Sequence, residues 1–339
     1  MLDTVYTWVV NSVEGVAGNF LDPSRATHWS YLIMSVVVVV AVILWQSHDS
    51  DKERWLVWSD LRGLFSRDLW LHRSAVNDYL LIIINTFMTP VLRLAGLAAG
   101  FIAGDGLYLV LGLATDGAPL SFAASGFNLV AFSIFSLLLL DFGKYFGHAL
   151  LHWVPVFWEF HKPHHSAQVL TPLTTYRIHP LEHIVSSTVS GLCVGAATAV
   201  GVFTFGAMIS PISIFGFNVG VFLFYVVGAN LRHSHVWIPY PQWLSRILIS
   251  PAQHQIHHSS LPEHHDRNFG SIFAIWDLMF HTLYVPAERE KLRFGLSEGE
   301  DRDYENVRNL YVVPLIKAWR LVRHTDRRKQ AAANIEAAE

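Results

Sequence analysis

The stretch FNLVAFSIFSLLLLDFGKYFGHALLH, residues 127–152, decides the fold because it joins a membrane segment to a pair of histidines. Its first half is apolar, and the charged Asp141 and Lys144 then indicate a helix that emerges from a bilayer. When one helix continues through the stretch, His148 and His152 are four residues apart and lie on the same helical face. The stretch therefore predicts a membrane helix that ends in a metal-binding motif.

Further apolar segments surround this stretch. The chain of 339 residues is 52% hydrophobic and 15% charged, whereas about a quarter of the residues of soluble domains are charged. Four more segments are long and apolar enough to cross a bilayer, at residues 29–45, 79–103, 184–208 and 212–229. The last two are predicted to form a hairpin, and Arg93 is expected to snorkel or to face the bundle. The predicted fold class is all-α, a polytopic membrane helical bundle with about four to five transmembrane spans.

The distribution of basic residues predicts the orientation. Residues 104–126 carry no Lys or Arg, whereas the segment after the first span carries Lys52, Arg54, Arg62, Arg67 and Arg73. Basic connections stay in the cytoplasm, so counting the spans places residues 144–183 and the chain after Asn230 there. We expect an integral, multi-pass membrane protein whose cytoplasmic helical cap carries a histidine-rich di-metal site.

The two ends of the chain are predicted to lie outside the bundle. Residues 1–20 have apolar side chains at helical spacing and form either an interfacial helix or a packed or frayed terminus. No basic region precedes the first apolar run, which argues against a cleaved signal peptide. Residues 315–323 predict an amphipathic helix on a membrane or on a globular surface, and the charged, alanine-rich residues 327–339 predict a tail.

Histidine is the unusual residue of this chain. There are 19 histidines, and 14 of them lie between His148 and His265. Neutral imidazoles bind first-row metal ions without accumulating negative charge, and a single cysteine, Cys193, can build neither a disulfide nor a thiolate site. The strongest signal is H-x-x-x-H at 148–152 followed by two copies of H-x-x-H-H, at 161–165 and 254–258. The predicted metal ligands are His148, His152, His161, His164, His165, His179, His183, His233, His235, His254, His257, His258 and His264.

Polar residues near the histidines complete the predicted site. Imidazole ligands need acceptors for their free ring N–H groups, which fix the tautomer of each ring. The candidate catalytic residues are Asp141, Glu182, Asp266 and Asn268, of which the last two are also interpreted as turn residues beside the site. The net charge of −3, without basic runs interleaved with aromatics, indicates no nucleic-acid partner.

Three histidine motifs resemble those of the fatty acid hydroxylase and sterol desaturase superfamily. They are HALLH at 148–152, HKPHH at 161–165 and PAQHQIHH at 251–258, and residues 266–286 are similar to the segment that closes the domain in that family. The resemblance covers residues 137–286. It divides the chain into N-terminal membrane spans (1–126), a catalytic domain (127–286) and a cytoplasmic C-terminal extension and tail (287–339). Many members carry a histidine where this chain has Gly228, and His233 or His235 is expected to substitute for it.

The resemblance implies a non-haem oxygenase. It implies a cytoplasmic di-iron centre, with zinc as a substitute in isolated protein, that uses O2 to hydroxylate or desaturate a fatty acyl, ether-lipid or sterol-like substrate. The electrons are expected from an external ferredoxin- or cytochrome b5-type donor with its reductase.

Two other functions are weighed against the oxygenase. Residues 179–183 match H-x-x-E-H, the string of a zinc metallopeptidase, but Pro180 follows the first histidine and interrupts the helix that this motif requires. A metal transporter requires polar groups near the middle of the membrane, and the predicted spans 184–208 and 212–229 contain no histidine.

Overall fold

The computed structural model describes residues 14–47, 57–214, 217–297 and 299–336. Within these ranges the chain is mostly helical, with one small hairpin and several 3₁₀ turns. The helices are α1 (Trp29–Ser47), α2 (Trp58–Gly63), α3 (Arg67–Trp70), α4 (Arg73–Leu113), α5 (Gly126–Trp153), α6 (Pro155–His165), α7 (Pro180–Phe205), α8 (Val219–Val226), α9 (Pro251–His257), α10 (Ile275–Met279) and α11 (Val307–Glu336).

Four of these helices, α1, α4, α5 and α7, are long and apolar enough to cross a membrane. They are 19, 41, 28 and 26 residues long. Much of their apolar surface is exposed to the surroundings, including Val37, Leu97, Phe101 and Ile134. Such a surface is stable only against lipid or detergent, so the chain is an integral membrane protein.

The prediction of a fifth span at residues 212–229 was wrong for the residues that the structure describes. The chain there forms β1 (Ser213–Ile214), which pairs with β2 (Phe217–Asn218) in antiparallel fashion, and then the eight-residue α8. The Asn218 side chain accepts a hydrogen bond from Gly220 N at 2.8 Å and donates one to the Ser133 carbonyl at 3.0 Å. Hydropathy does not predict this contact, which fixes the start of α8 beside α5.

Helix α7 lies between α4 and α5. It runs parallel to α4, because Gly96 packs against Ser187 and Gly104 against Gly195. Small residues allow two membrane helices to approach closely, and a Cβ atom on Gly191 would overlap the Gly96 carbonyl. Helix α7 runs antiparallel to α5, where Gly143 meets Cys193 and Phe132 meets Gly201. The start of α7 and the end of α5 therefore share one side of the bundle.

Helix α4 begins on that same side and extends beyond the bundle. Its 41 residues span roughly 60 Å at the helical rise, about twice the hydrocarbon thickness of a bilayer. Its first part borders the loop before α7, since buried Asp78 pairs with Arg177 at 2.9 Å and Asn85 donates to the Ile178 carbonyl at 2.8 Å. Arg93 lies three residues before Gly96, at the level where α7 begins.

Most of the remaining helices form a cap at this end of the bundle, whereas α8 packs beside α5, where Gly220 meets Leu137. Lys162 on α6 contacts the carboxylates of Glu159 at 2.9 Å and Glu300 at 2.8 Å, and Lys317 on α11 contacts Glu300 at 2.9 Å. This charged network connects α11 to α6. The apolar residues of the predicted amphipathic segment, Leu315, Ile316, Trp319 and Val322, remain exposed.

Both termini differ in detail from the expectation. Residues 14–21 are helical, and the Asn19 amide donates to the Thr86 hydroxyl of α4 at 3.2 Å; the rest of the predicted interfacial helix lies outside the described residues. At the other end α11 continues to Glu336, into the segment predicted as a tail.

Candidate metal centre

Four elements at the cap end of the bundle bring the histidine motifs together. His148 and His152 occupy the last turns of α5, which continues through the motif as its spacing predicts. Helix α6 begins at Pro155 and carries the second motif. Proline has no backbone N–H, and the first position of a helix does not need one. The third motif starts on α9, which begins at Pro251 and is capped by reciprocal contacts between Ser250 and Gln253. The fourth element is the 3₁₀ turn Ala229–His233.

The rings form two adjacent clusters. Within each cluster, one side-chain nitrogen per residue lies within 4.8 Å of the corresponding nitrogen of every other member. The first cluster is His148, His152, His161, His165 and His257, and the second is His164, His233 and His258. His254 borders the second cluster, because its Nε2 lies 3.1 Å from Nε2 of His233.

Neighbouring histidines divide between the two clusters. His165 and His257 belong to the first cluster. Their sequence neighbours, His164 and His258, belong to the second. The rings of His165 and His258 stack with their centroids 4.7 Å apart, so the two clusters are in direct contact. Each H-x-x-H-H motif therefore contributes to both clusters.

Hydrogen bonds on the outer ring nitrogens set the tautomers of the first cluster. Nδ1 of His148 donates to the Phe269 carbonyl at 3.0 Å, and Nδ1 of His257 donates to the Arg267 carbonyl at 2.8 Å. Nδ1 of His161 donates to the Glu182 carboxylate at 2.8 Å. A neutral imidazole carries one ring proton, so Nε2 of each of these rings is left with a lone pair that points into the cluster.

These lone pairs fit a metal ion. Nε2 of His148 and Nε2 of His161 face each other at 3.1 Å, with both ring protons already engaged on the opposite nitrogens. Two lone pairs at this distance repel unless a cation lies between them. Metal–nitrogen bonds of about 2.0–2.1 Å place neighbouring ligands roughly 3 Å apart at right angles. Among the described residues, the buried Nε2 atoms of His152, His165 and His257 also have no hydrogen-bond partner.

Burial keeps the cap histidines neutral. It lowers the pKa of His164 to about 3, with further lowering by the charges of neighbouring groups. Burial first, and then the adjacent imidazoles, also lower the pKa of His161, His165 and His258 well below the usual range. The same causes lower the pKa of His233, His254 and His257. Neutral rings keep the lone pairs that a metal ion requires.

Besides His254, four predicted ligands lie outside the two clusters. His179 caps α7, with Nδ1 accepting from Leu181 N at 3.1 Å and Nε2 donating to the Tyr311 carbonyl at 3.1 Å, so neither nitrogen is available. Nε2 of His235 donates to the Asp60 carbonyl at 3.1 Å. The other two are His264, whose Nε2 lies 2.8 Å from a Glu290 carboxylate oxygen, and His183, which lines a separate cavity.

Two of the four predicted catalytic residues lie against rings of the first cluster, and the other two do not. Glu182 contacts His161, and an Asp266 carboxylate oxygen lies 3.4 Å from Nδ1 of His152. Asp141 instead accepts hydrogen bonds from Ile272 N, Phe273 N and the Trp276 indole, at 2.8, 3.0 and 3.1 Å. Asn268 donates to the Gln253 carbonyl and accepts from Tyr284 N. Asp141 and Asn268 therefore hold the loop whose carbonyls orient the rings.

Sequence reasoning missed the backbone part of this site. The Phe269 and Arg267 carbonyls that bind His148 and His257 have no side-chain signature. Asp277 holds this loop by accepting from Phe269 N and Gly270 N, both at 2.8 Å. Burial raises the pKa of Asp277 to about 6. The Asn-Phe-Gly and Trp-Asp strings at 268–270 and 276–277 were the available signal for this arrangement.

A cleft of about 230 Å³ leads to the clusters from the bundle. Small residues of two facing helices line it, namely Gly143 and Gly147 on α5 and Ser186 and Ser190 on α7. His148, His161, His164, His233 and His254 line its inner part, together with Lys144 and Arg232. The site is therefore accessible from the side of the membrane helices.

Comparison with known proteins agrees with this site. Residues 133–282 match the family model described as fatty acid hydroxylase. Alkylglycerol monooxygenase of Caenorhabditis elegans is 28% identical over 168 residues, which cover 50% of this chain and 30% of that protein. Ornithine lipid hydroxylase of Rhizobium tropici is 27% identical over 170 residues, 48% of this chain and 45% of that protein.

A third relative is the Delta(7)-sterol 5(6)-desaturase of Eremothecium gossypii, 26% identical over 156 residues, which cover 45% of this chain and 38% of that protein. The matched region thus spans less than half of the length of each of these three relatives. No solved structure matches the chain significantly.

Proposed function

We propose, from the membership of residues 133–282 in the fatty acid hydroxylase family, that this chain is an integral-membrane non-haem di-iron oxygenase that hydroxylates or desaturates a lipid. One observation carries the proposal: two touching clusters of buried imidazoles whose lone pairs face each other at about the spacing of ligands around a metal ion. The substrate is a fatty acyl, ether-lipid or sterol-like molecule, since the relatives are named for lipid hydroxylation, monooxygenation and sterol desaturation.

The two clusters would hold two iron ions. Imidazole nitrogen suits iron as well as zinc, so zinc is expected to substitute in isolated protein. When bound, the irons supply the activation of O2 for attack on a C–H bond. The protein keeps the rings neutral and orients them, through Glu182 on His161 and through the Phe269 carbonyl on His148.

The substrate would enter from the bilayer through the cleft between α5 and α7. Its walls are formed by small side chains and by apolar Leu151 and Phe269, which leave room for a hydrocarbon chain. The apolar part of this wall would help to exclude water from the reacting carbon. Reducing electrons would arrive at the cap from an external ferredoxin- or cytochrome b5-type donor with its reductase.

The metal site would face the cytoplasm. Arg62, Arg67 and Arg73 lie on α2, α3 and the start of α4, at the end of the bundle where the cap and the histidine clusters lie. The connection at residues 104–126, at the opposite end, contains no Lys or Arg. This asymmetry is typical of a cytoplasmic cap.

The test combines metal content with lipid turnover. The purified full chain, loaded with iron and supplied with a donor and its reductase, is expected to bind about two irons. It should consume O2 in step with a lipid product that has gained one oxygen atom or lost two hydrogen atoms. We expect His257→Ala and His161→Ala to lose metal and turnover while still inserting into membranes, because neither residue lies in a membrane helix.

His235→Ala is the matched control. This histidine belongs to the same region, but it contacts the Asp60 carbonyl and lies outside both clusters, so iron content and turnover should persist. Normal iron occupancy and turnover in the His257 and His161 variants would overturn the proposal. Zinc-dependent peptide cleavage would favour the metallopeptidase, and metal uptake into liposomes the transporter.

A further inference from the structure

A second, larger cavity lies on the other side of the loop that precedes α7. Its volume is about 700 Å³, and α4 and the segment before α1 form much of its wall. It shares only Thr175 and Ile178 with the cleft that leads to the histidine clusters. Three basic side chains from three different segments line it: Arg25, Arg93 and His183.

The cavity lies beside the start of the contact between α4 and α7. Gly96 on α4 packs against Ser187 on α7, and because the two helices are parallel, Arg93 and His183 lie about one turn earlier on each helix. Immediately beyond Arg93, the outer face of α4 is apolar, with Leu94 and Leu97 each 58% exposed. A cavity with basic groups beside an exposed apolar helix surface suits a lipid headgroup, because headgroups lie where the hydrocarbon region meets polar surroundings.

The two arginines of the cavity share one nearby carboxylate, that of Asp22. Arg93 is exposed and makes no hydrogen bond or ion pair with the described residues, although the charge of Asp22 acts on it. Arg25 lies 3.7 Å from Asp22, too far for a hydrogen bond. Nε2 of His183 is buried and has no hydrogen-bond partner within the described part of the chain. The described residues that line the cavity include no Asp or Glu.

The other polar groups of the wall are already engaged. The Asn85 amide donates to the Tyr176 and Ile178 carbonyls at 3.3 and 2.8 Å, and the Asn19 amide donates to the Thr86 hydroxyl. These contacts hold the wall in place and leave the two guanidinium groups and the His183 imidazole as the available donors. With one carboxylate beside two arginines, the cavity keeps a net positive charge, so an anion can complete the site.

We propose that this cavity binds the phosphate group of an anionic lipid. The planar guanidinium forks of Arg93 and Arg25 match the oxygens of a phosphate, and Nε2 of His183 supplies a third contact. Apolar side chains, including Phe87, Pro90 and Leu92, form the rest of the lining and fit the glyceryl and upper acyl segments of a lipid. A free phosphate ion would leave these apolar walls empty.

Native mass spectrometry of the iron-loaded full chain in detergent tests the proposal. Three probes are compared: short-chain phosphatidylglycerol, diacylglycerol with the same acyl chains, and inorganic phosphate. Phosphatidylglycerol should bind at least about tenfold more tightly than diacylglycerol, because a charge-assisted hydrogen bond supplies that much affinity. It should also bind more tightly than inorganic phosphate, which lacks the apolar contacts.

Variants assign the binding to this cavity. Arg93→Gln should weaken phosphatidylglycerol binding by about tenfold or more, and Arg25→Gln should add to the loss. Arg93→Lys should keep part of the affinity, because it retains the charge but not the planar fork. Arg320→Gln, which removes an exposed arginine of α11, is the matched control and should bind as the parent does. Unchanged iron content in all four variants would show that the fold and the metal centre persist.

Several results would overturn the inference. Equal binding of phosphatidylglycerol and diacylglycerol, or unchanged binding after Arg93→Gln and Arg25→Gln, would exclude an anion site here. Inorganic phosphate binding as tightly as the lipid would assign the cavity to a soluble ion instead. If Arg93→Gln fails to fold, Arg93→Lys and Arg25→Gln still decide the question. None of these measurements depends on turnover, so the oxygenase proposal can fail or succeed separately.

Discussion

The histidine pairs at 164–165 and 257–258 explain how one short motif can contribute to two clusters. Successive side chains on a helix are rotated by roughly 100° about its axis, so adjacent rings cannot reach the same point. In this chain each pair straddles the boundary between the two clusters. The repeated H-x-x-H-H motif therefore allows one short segment to contribute rings to both clusters.

Glu182 is expected to act through His161 as a positioning residue. Its carboxylate is the only side-chain acceptor that the described residues offer to Nδ1 of that ring. Glu182→Ala should lower iron affinity by about 10- to 100-fold, as loss of a contact behind a ligand does elsewhere. Glu182→Gln retains an acceptor oxygen and should recover most of it.

Chelator competition on the purified chain measures this effect, with iron per chain as the readout. Lys317→Ala, which breaks a contact with Glu300 in the cap, serves as the control. If Glu182→Ala binds iron as tightly as the parent, the carboxylate has no role in orienting His161.

At the scale of elements, α7 is the central helix of the bundle. It packs parallel to α4 through glycines, and its antiparallel contact with α5 leaves the cleft that leads to the histidines. It also begins at Pro180, directly after the loop held by the Arg177 and Asp78 pair. One helix thus positions Glu182, the cleft wall and the second cavity.

Close packing of α4 and α7 predicts a strong effect at Gly191. A Cβ atom there would overlap the Gly96 carbonyl, so Gly191→Ala should destabilise the chain by about 1–3 kcal/mol. The matched control is Gly106→Ala on α4, where nothing lies within 4 Å of the added atom and helix propensity favours Ala. Thermal unfolding in detergent compares the two variants. Equal midpoints would contradict the observed helix contact.

A substitution in the cleft between α5 and α7 is expected to lower turnover without changing metal binding. Ser190 lines the cleft but lies outside the clusters. Ser190→Leu should fill part of the roughly 230 Å³ space and lower lipid turnover by at least about tenfold, since a misplaced substrate loses the productive geometry. Iron content should not change.

Ser190→Ala retains the open cleft and should keep normal turnover. Parallel measurement of product formation and iron per chain distinguishes the two variants. Full turnover of a long-chain lipid by Ser190→Leu would show that substrate enters elsewhere.

At the scale of the whole molecule, the clusters join parts of the chain that are distant in sequence. Rings from α5, α6, the 3₁₀ turn Ala229–His233 and α9 meet within a few ångströms. A bound metal ion therefore stabilises the contact between the bundle and its cap, because it binds the folded arrangement only.

Removal of the metal should accordingly lower the unfolding temperature. A chelator is expected to reduce the thermal midpoint of the iron-loaded chain, and added iron should restore it, by the linkage between binding and folding. His257→Ala, which removes a ring of the first cluster, should show a low midpoint that no longer responds to chelation. An unchanged midpoint after verified metal loss would indicate a cap that forms independently of the site.

The sequence alone determined the properties that depend on local spacing. Length and hydropathy identified four membrane helices, and the i and i+4 spacing of His148 and His152 on one helix was confirmed. Eight histidines in three motifs were singled out together, and the structure brings seven of them and His233 into the two clusters, with His254 beside the second.

Only the tertiary structure decided how these parts meet. His233 faces the site, whereas His235 contacts the Asp60 carbonyl. Asp141 holds a loop, and the fifth apolar segment is interrupted at Asn218, which contacts Ser133. The physical reason is that helical period and hydropathy are local, whereas the orientation of a ring depends on distant partners. The Phe269 carbonyl that orients His148 lies 121 residues away along the chain.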